Sequence, residues 1–178
     1  MAVRTAVVPL PEIRDLRWSV LRPGLPRETA EFAEDGRPGT LHLAAYEDDG
    51  PEVLACLTLF PDPLPAGLRS ADETRSGGEA RSGGGERVAY RFRGMASAPA
   101  VRGKGYGAAV LAGAARQAAE RGAGVLWCNG RTVARGFYER HGFAVVGGEF
   151  VIEGVGPHVV FVGDVDTIGS ITDSGEIP

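Results

Sequence analysis

Val101-Arg102-Gly103-Lys104-Gly105-Tyr106-Gly107-Ala108 is the stretch on which the fold turns. It follows a β-like run, residues 87–97, and opens a helical run, residues 108–121. Three alternate glycines occupy the turn between them. Glycine tolerates backbone angles that other residues avoid and lets a ligand lie against bare backbone. The first amides of the following helix lack an intrahelical partner and stand at the positive pole of its dipole. A strand, a glycine turn and a helix N-terminus together make an anion site, usually for phosphate.

The pattern narrows the ligand. A P-loop needs G-x-x-x-x-G-K-[ST], and no such run occurs in the chain. The dinucleotide fingerprint can be laid over Gly103, Gly105 and Ala108. It also wants an acidic residue ending the next strand, about 20 residues further on. The run 125–128 ends instead in Asn129 and Gly130. What remains is R-x-x-G-x-G, read as Arg102, Gly105 and Gly107. Taken alone, that match also fits an ordinary tight strand-to-helix turn.

A second motif lies downstream: Ala134-Arg135-Gly136-Phe137-Tyr138-Glu139-Arg140-His141-Gly142-Phe143. Together the two resemble the GNAT acetyltransferase superfamily, with its R-x-x-G-x-G pyrophosphate turn and a short helix ending F-Y-x-x-x-G-F. The resemblance covers residues 87–162 with both motifs in register and is looser before residue 87. It implies an α/β fold: a mixed, mostly antiparallel twisted sheet, splayed at the central strand, with helices on both faces.

The composition suits such a domain. The chain has 178 residues, 43% hydrophobic and 24% charged, with a formal net charge of −4. That is one domain's worth of chain, and the acidic balance argues against a general nucleic-acid binder. Lys104 is the only lysine. Cys56 and Cys128 both lie in apolar runs and read as small buried residues, not as a disulfide framework or metal site. No signal-peptide region or membrane-spanning apolar run is recognisable, so the reading is a cytoplasmic protein without membrane association.

Along the chain, residues 2–8 read as a strand broken by Pro9 and Pro11, and residues 12–21 as a helix. Its apolar face is Ile13, Leu16, Val20 and Leu21, with Arg14 and Arg17 elsewhere. In the resembled superfamily this helix and the loop after it cover the acceptor. Trp18 and Arg22 then touch substrate, or more ordinarily pack and stay solvated. Residues 41–46 and 53–60 read as a hairpin. Residues 62–86 have almost no large apolar residue from 69 onward and read as a flexible insertion within one domain, residues 1–163. Residues 88–97 form the central strand, with Gly94 marking a bulge. Residues 132–141 form the short helix, with Thr132 as N-cap and Gly142 as C′ glycine. Residues 143–146 and 149–153 are two strands or one bent strand, followed by a strand at 158–162. The tail, 164–178, reads as frayed.

The chemistry follows. Direct attack of an amine on a thioester needs positioning, a polarised carbonyl and a proton for the leaving thiolate. The backbone of Arg102, Gly103, Lys104, Gly105, Tyr106 and Gly107 faces the pyrophosphate of acetyl-coenzyme A, with charge from Arg102 or Lys104. By resemblance, backbone groups of Met95 and Ser97 pair with the pantetheine arm. Tyr138 matches the motif tyrosine beside the coenzyme sulfur, and a phenol is protonated at neutral pH. For the base, residues 87–97 hold no carboxylate and Glu86 lies at the edge of the insertion. His158 is one candidate and a chain of waters another. Arg131 stands where the superfamily often has an Asn that contacts the coenzyme arm. The expectation is that Arg131 replaces it by reaching a phosphate, or that the nearby Asn129 contributes.

The reading is therefore an acetyl-coenzyme A dependent N-acetyltransferase acting on a primary amine of a small molecule. A longer acyl donor or an O-acceptor is a variant of it. The alternative is a non-catalytic module that binds acyl-coenzyme A as a sensor. A homodimer is compatible with either.

Overall fold

The computed structural model describes residues 2–68 and 87–170. Seven strands form one sheet in the order β1-β2-β3-β4-β5-β7-β6. They are β1 (Val3–Val8), β2 (Leu41–Glu47), β3 (Ala55–Pro61), β4 (Ala89–Ser97), β5 (Val125–Arg131), β6 (Phe143–Ile152) and β7 (Gly156–Asp164). All pairings are antiparallel except β4 with β5. One face carries α1 (Leu10–Leu21). The other carries α2 (Tyr106–Glu120), α3 (Arg135–Arg140) and α4 (Val165–Ser170). The expected mixed sheet, with helices on both faces, is the observed one.

Alternation along the strands makes two cores. Leu57, Leu59, Phe92, Leu126 and Phe161 bury against α2, whose alanines let the helix lie close. On the opposite face, Ile13 of α1 is fully buried on Ala44, Cys56 and Ala96. A separate cluster there joins Leu64, Val125, Trp127, Val146 and Val160.

The middle strand is bulged and splayed. Between Cys56 and Thr58 of β3, the β4 register shifts from Ala96 to Arg93, so β4 carries one extra residue. Gly94 sits in that bulge at φ 65°, a left-handed angle that favours glycine. On its other edge, β4 pairs with β5 only as far as Arg91 with Trp127. Beyond that point β4 runs on to Ser97 and β5 to Arg131, unpaired with each other.

Several expectations need correction. The first helix begins at Leu10, because Pro11 falls in its first turn, where a missing N–H costs nothing. Arg17 is not on an outer face but fully buried. Thr132 does not cap the short helix, since no side chain bonds its first amides. Gly142 does end it, at φ 88°. Residues 143–152 are one strand, bulged between Val146 and Phe150. Residues 62–68 are not loose: Leu64 is buried and Leu68 packs on the same cluster. The tail is ordered through Ser170, because Val165 and Ile168 bury in the α2-side core. Residues 69–86 and 171–178 lie outside the described residues.

Candidate active site

The glycine turn is an uncapped helix start. α2 has Gly105 as its N-cap at φ 90°, with no side chain bonding the first amides. Gly103 also has a positive φ, 78°, and a Cβ at either glycine would meet no atom within 4 Å. Tyr106 is buried and anchors the turn in the core, so its backbone rather than its ring is available to a ligand. Arg102 and Lys104 are exposed. The arrangement offers backbone donors and a helix dipole to an anion.

The turn, the strand end and the short helix meet at Gly107. A Cβ there would lie 3.2 Å from Ser97 Oγ, 3.3 Å from Met95 Cε and 3.9 Å from Phe137 Cζ. A side chain at 107 would therefore fill the approach between the turn and the parted edge of β4. Phe137, read from the sequence only as part of the motif, joins Met95 and Ser97 in lining it.

Tyr138 lies under the point where β4 and β5 part. Its ring is 4.5 Å from Phe161, 5.3 Å from Phe137, 5.5 Å from Phe143 and 6.1 Å from Phe92, centroid to centroid. It is 8% exposed. Burial pushes its phenol well above the usual range, and the neighbouring Cys128 thiol adds to this. The Cys128 thiol is itself pushed up to about 12 by burial. Tyr138 is thus a protonated hydrogen-bond donor at neutral pH, enclosed by rings.

The α1 face of the bulge is built from charges. Arg17 donates to both Asp35 carboxylate oxygens, to the Ala30 carbonyl and to the Thr58 hydroxyl. The Phe32 ring lies between two guanidiniums, 4.2 Å from Arg17 and 3.9 Å from Arg93. It fills the space a side chain at 94 would need, with Cε2 2.5 Å from that Cβ position. Arg93 pairs with Glu34 at 3.0 Å. Burial opposes the charge on Glu34, yet its own backbone amide and the Arg93 and Arg91 guanidiniums hold its carboxyl below the usual range. None of Phe32, Glu34, Asp35 or Arg93 stood out in the sequence. Arg17 was findable, since position 17 is one turn after Ile13 and shares its buried face.

Other candidate residues stand further off. Asn129 and Arg131 are on β5, in the rows of Val160 and His158. By alternation they face the α1 side of the sheet, away from α2. His158 is buried on β7, one strand beyond β5, in a row with Arg131 and Phe150. Its Nδ1 faces the Gly156 carbonyl at 2.8 Å, so that nitrogen carries the proton. Tyr138 and His158 are on opposite faces and are not brought together. Trp18 donates to the Leu25 carbonyl, and Arg22 to the carbonyls of Thr29 and Leu21; both tie down their own loop.

Comparison with known proteins follows the same lines. Residues 10–143 match the acetyltransferase (GNAT) family. A relative in Bacillus subtilis, the uncharacterized N-acetyltransferase YitI, is 29% identical over 146 residues, covering 82% of this chain and 85% of that protein. The structure of Arabidopsis thaliana NAA60 in complex with acetyl-CoA superposes with a TM-score of 0.65 at 14% identity, covering 93% of this chain and 99% of the other. Escherichia coli ElaA superposes with a TM-score of 0.64 at 13% identity, covering 91% and 99%. At these identities the structural likenesses show the fold.

Proposed function

Because the chain belongs to the GNAT acetyltransferase family, we propose that it transfers an acetyl group from acetyl-coenzyme A to a primary amine of a small molecule by direct attack. The observation that carries this reading is the uncapped start of α2 beside the parted edges of β4 and β5. Acetyl-coenzyme A, when bound, supplies an activated thioester. The residues present fit it: open backbone at Gly103 and Gly105 for a pyrophosphate, cations at Arg102 and Lys104, and a passage along Met95, Ser97, Gly107 and Phe137 for an extended arm.

In this reading the amides of residues 102–107 hold the phosphates. The free edge of β4 at Met95 and Ser97 pairs with the arm as an added strand would. An amide at the bulge polarises the carbonyl. Tyr138 donates its proton to the departing sulfur. Asn129 and Arg131 stand on the opposite lip, within β5. His158, a strand further, is assigned no proton.

The test is thiol release from acetyl-coenzyme A against a panel of small primary amines, with calorimetry of acetyl-coenzyme A binding alongside. Amine-dependent release is expected. Tight binding without release against any amine would favour the sensor alternative. No binding would remove the donor site.

A further inference from the structure

We propose that Glu34 is the acid-base partner of the acceptor amine, brought to the middle strand by the loop after α1. The proposal rests on the acetyl-transfer reading above. The central strand carries no carboxylate of its own between residues 87 and 97. The fold supplies one from a segment far away in sequence.

The placement is specific. Arg93 and Phe92 are adjacent residues just past the last pair between β4 and β5. Phe92 faces Tyr138 on one side of the sheet. Arg93 faces Glu34 on the other, at 3.0 Å. A group lying between the parted strands therefore has a phenol on one side and a carboxylate on the other. Glu34 is 8% exposed, while the Arg93 side chain keeps 34% exposure, so the pair is open from the Arg93 side.

The loop is held by a linked set of contacts. Arg17 grips Asp35 with both nitrogens and the Ala30 carbonyl with one. Asp35 Oδ2 also accepts from the Phe32 amide at 2.9 Å. The Phe32 ring is pinned between Arg17 and Arg93. Apolar packing would fasten a loop at least as well as buried charges do. The charges here do something packing cannot: they hold an ionised carboxylate at the end of the Arg93 side chain, on the α1 face of β4.

The chemistry balances. A neutral amine hydrogen-bonds to the Glu34 carboxylate and attacks the thioester carbonyl. The C–N bond forms and the nitrogen becomes cationic and acidic. Glu34 takes one of its protons as the carbonyl re-forms. The C–S bond breaks with its electron pair on sulfur, which takes the Tyr138 proton. Water carries the proton from Glu34 back to the phenolate. The products are the amide and the free thiol. A carboxyl of low pKa is a poor base toward a free ammonium but a competent one toward the acidic nitrogen of the tetrahedral adduct, newly bonded to the thioester carbon.

The groups around Glu34 set its pH response. The Arg93 and Arg91 guanidiniums of β4 act on Glu34 directly. The neighbouring charges are held by other partners, Asp62 after β3 by Arg91 and Asp35 by Arg17 of α1, while His42 of β2 faces the Thr58 hydroxyl. Arg93 lowers its pKa, so removing Arg93 raises it.

The experiment uses the full chain and whichever amine of the panel the wild type acetylates. Glu34→Gln keeps the shape and a carbonyl oxygen for Arg93. Its kcat/KM should fall about 10²-fold with acetyl-coenzyme A affinity unchanged. A value within threefold of wild type overturns the proposal. Should Glu34→Gln fail to fold, Arg93→Met is decisive. Its acid limb of kcat/KM should move to higher pH, because Glu34 then protonates more easily. A structural pair would lower activity and leave the limb where it was, which also overturns the proposal. A wild type that acetylates no amine takes down the transfer reading first and this inference with it.

Discussion

The two sides of β4 are built by opposite means. Toward α2, the site is backbone: an uncapped helix start, positive-φ glycines and an unpaired strand edge. Its parts lie close together in sequence, between Met95 and Gly107. Toward α1, the site is side chain: Arg17, Phe32, Glu34, Asp35 and Arg93, drawn from three separate segments. A backbone site tolerates most substitutions except those that add atoms. A charge cluster is preorganised by its own pairings, and it fails when one member leaves another buried and unpaired.

That contrast is most exposed at Arg17. Arg17→Met keeps much of the apolar stem and strands the Asp35 carboxylate, whose side chain is 9% exposed. Breaking a buried pair from one side costs about 3–5 kcal/mol. The melting temperature should drop by roughly 10 °C. Acetyl-coenzyme A affinity, measured by calorimetry well below that melt, should stay within a few-fold. A variant that melts like the wild type would show that the α1 side does not depend on its charges.

The matching blow to the other side is Gly105→Glu. It puts a carboxylate where phosphate is expected, at a φ of 90° that costs a side chain about 1–2 kcal/mol. Lost charge-assisted hydrogen bonds and like-charge repulsion together should weaken acetyl-coenzyme A binding roughly 10³-fold. The circular dichroism spectrum should remain native. Unchanged affinity would move the donor site elsewhere.

The same contrast explains what was legible in the sequence. Glycine turns and the F-Y-x-x-x-G-F helix are local, so their residue types declare their geometry. The bulge at Gly94 was visible for that reason. Glu34 and Phe32 were not, because nothing near them in sequence distinguishes a loop residue in water from one pressed on a strand. Arg17 was read by its charge when its helical position carried the truer signal. The docking of α4 was less legible: Asp164 and Asp166 flank Val165 and Ile168, whose burial holds the helix. The passage at Gly107 was not legible, since Met95 and Ser97 of β4 and Phe137 of α3 converge there on α2 from separate elements.

The α2 side has one side chain proposed for chemistry, Tyr138, enclosed by rings yet proposed to touch the leaving sulfur. Tyr138→Phe removes one oxygen and keeps the packing on Phe161 and Phe143. Turnover should fall about 10²-fold, in kcat rather than KM, because the proton moves only in the transition state. Single-turnover mixing with bound donor is the direct measurement. A wild-type single-turnover rate would leave Tyr138 as core alone, and the α2 side as a binding surface without a proton donor.

The smallest effect should come from His158, which tests whether β7 forms a third wall. Its Nδ1 proton goes to the Gly156 carbonyl, and its ring stands in the row of Arg131 and Phe150. β5 therefore separates it from the parted edge, by about one strand spacing of 5 Å before the splay is added. His158→Gln retains an amide N–H for the same carbonyl. With the proton taken on the Glu34 side, kcat/KM should change less than about threefold, within the range of an ordinary substitution away from the chemistry. The pH profile should keep the wild-type limbs. A loss beyond tenfold, together with an acid limb that vanishes with the imidazole, would place the base on β7. It would also reduce the Arg17, Phe32 and Glu34 cluster to a clamp for the loop.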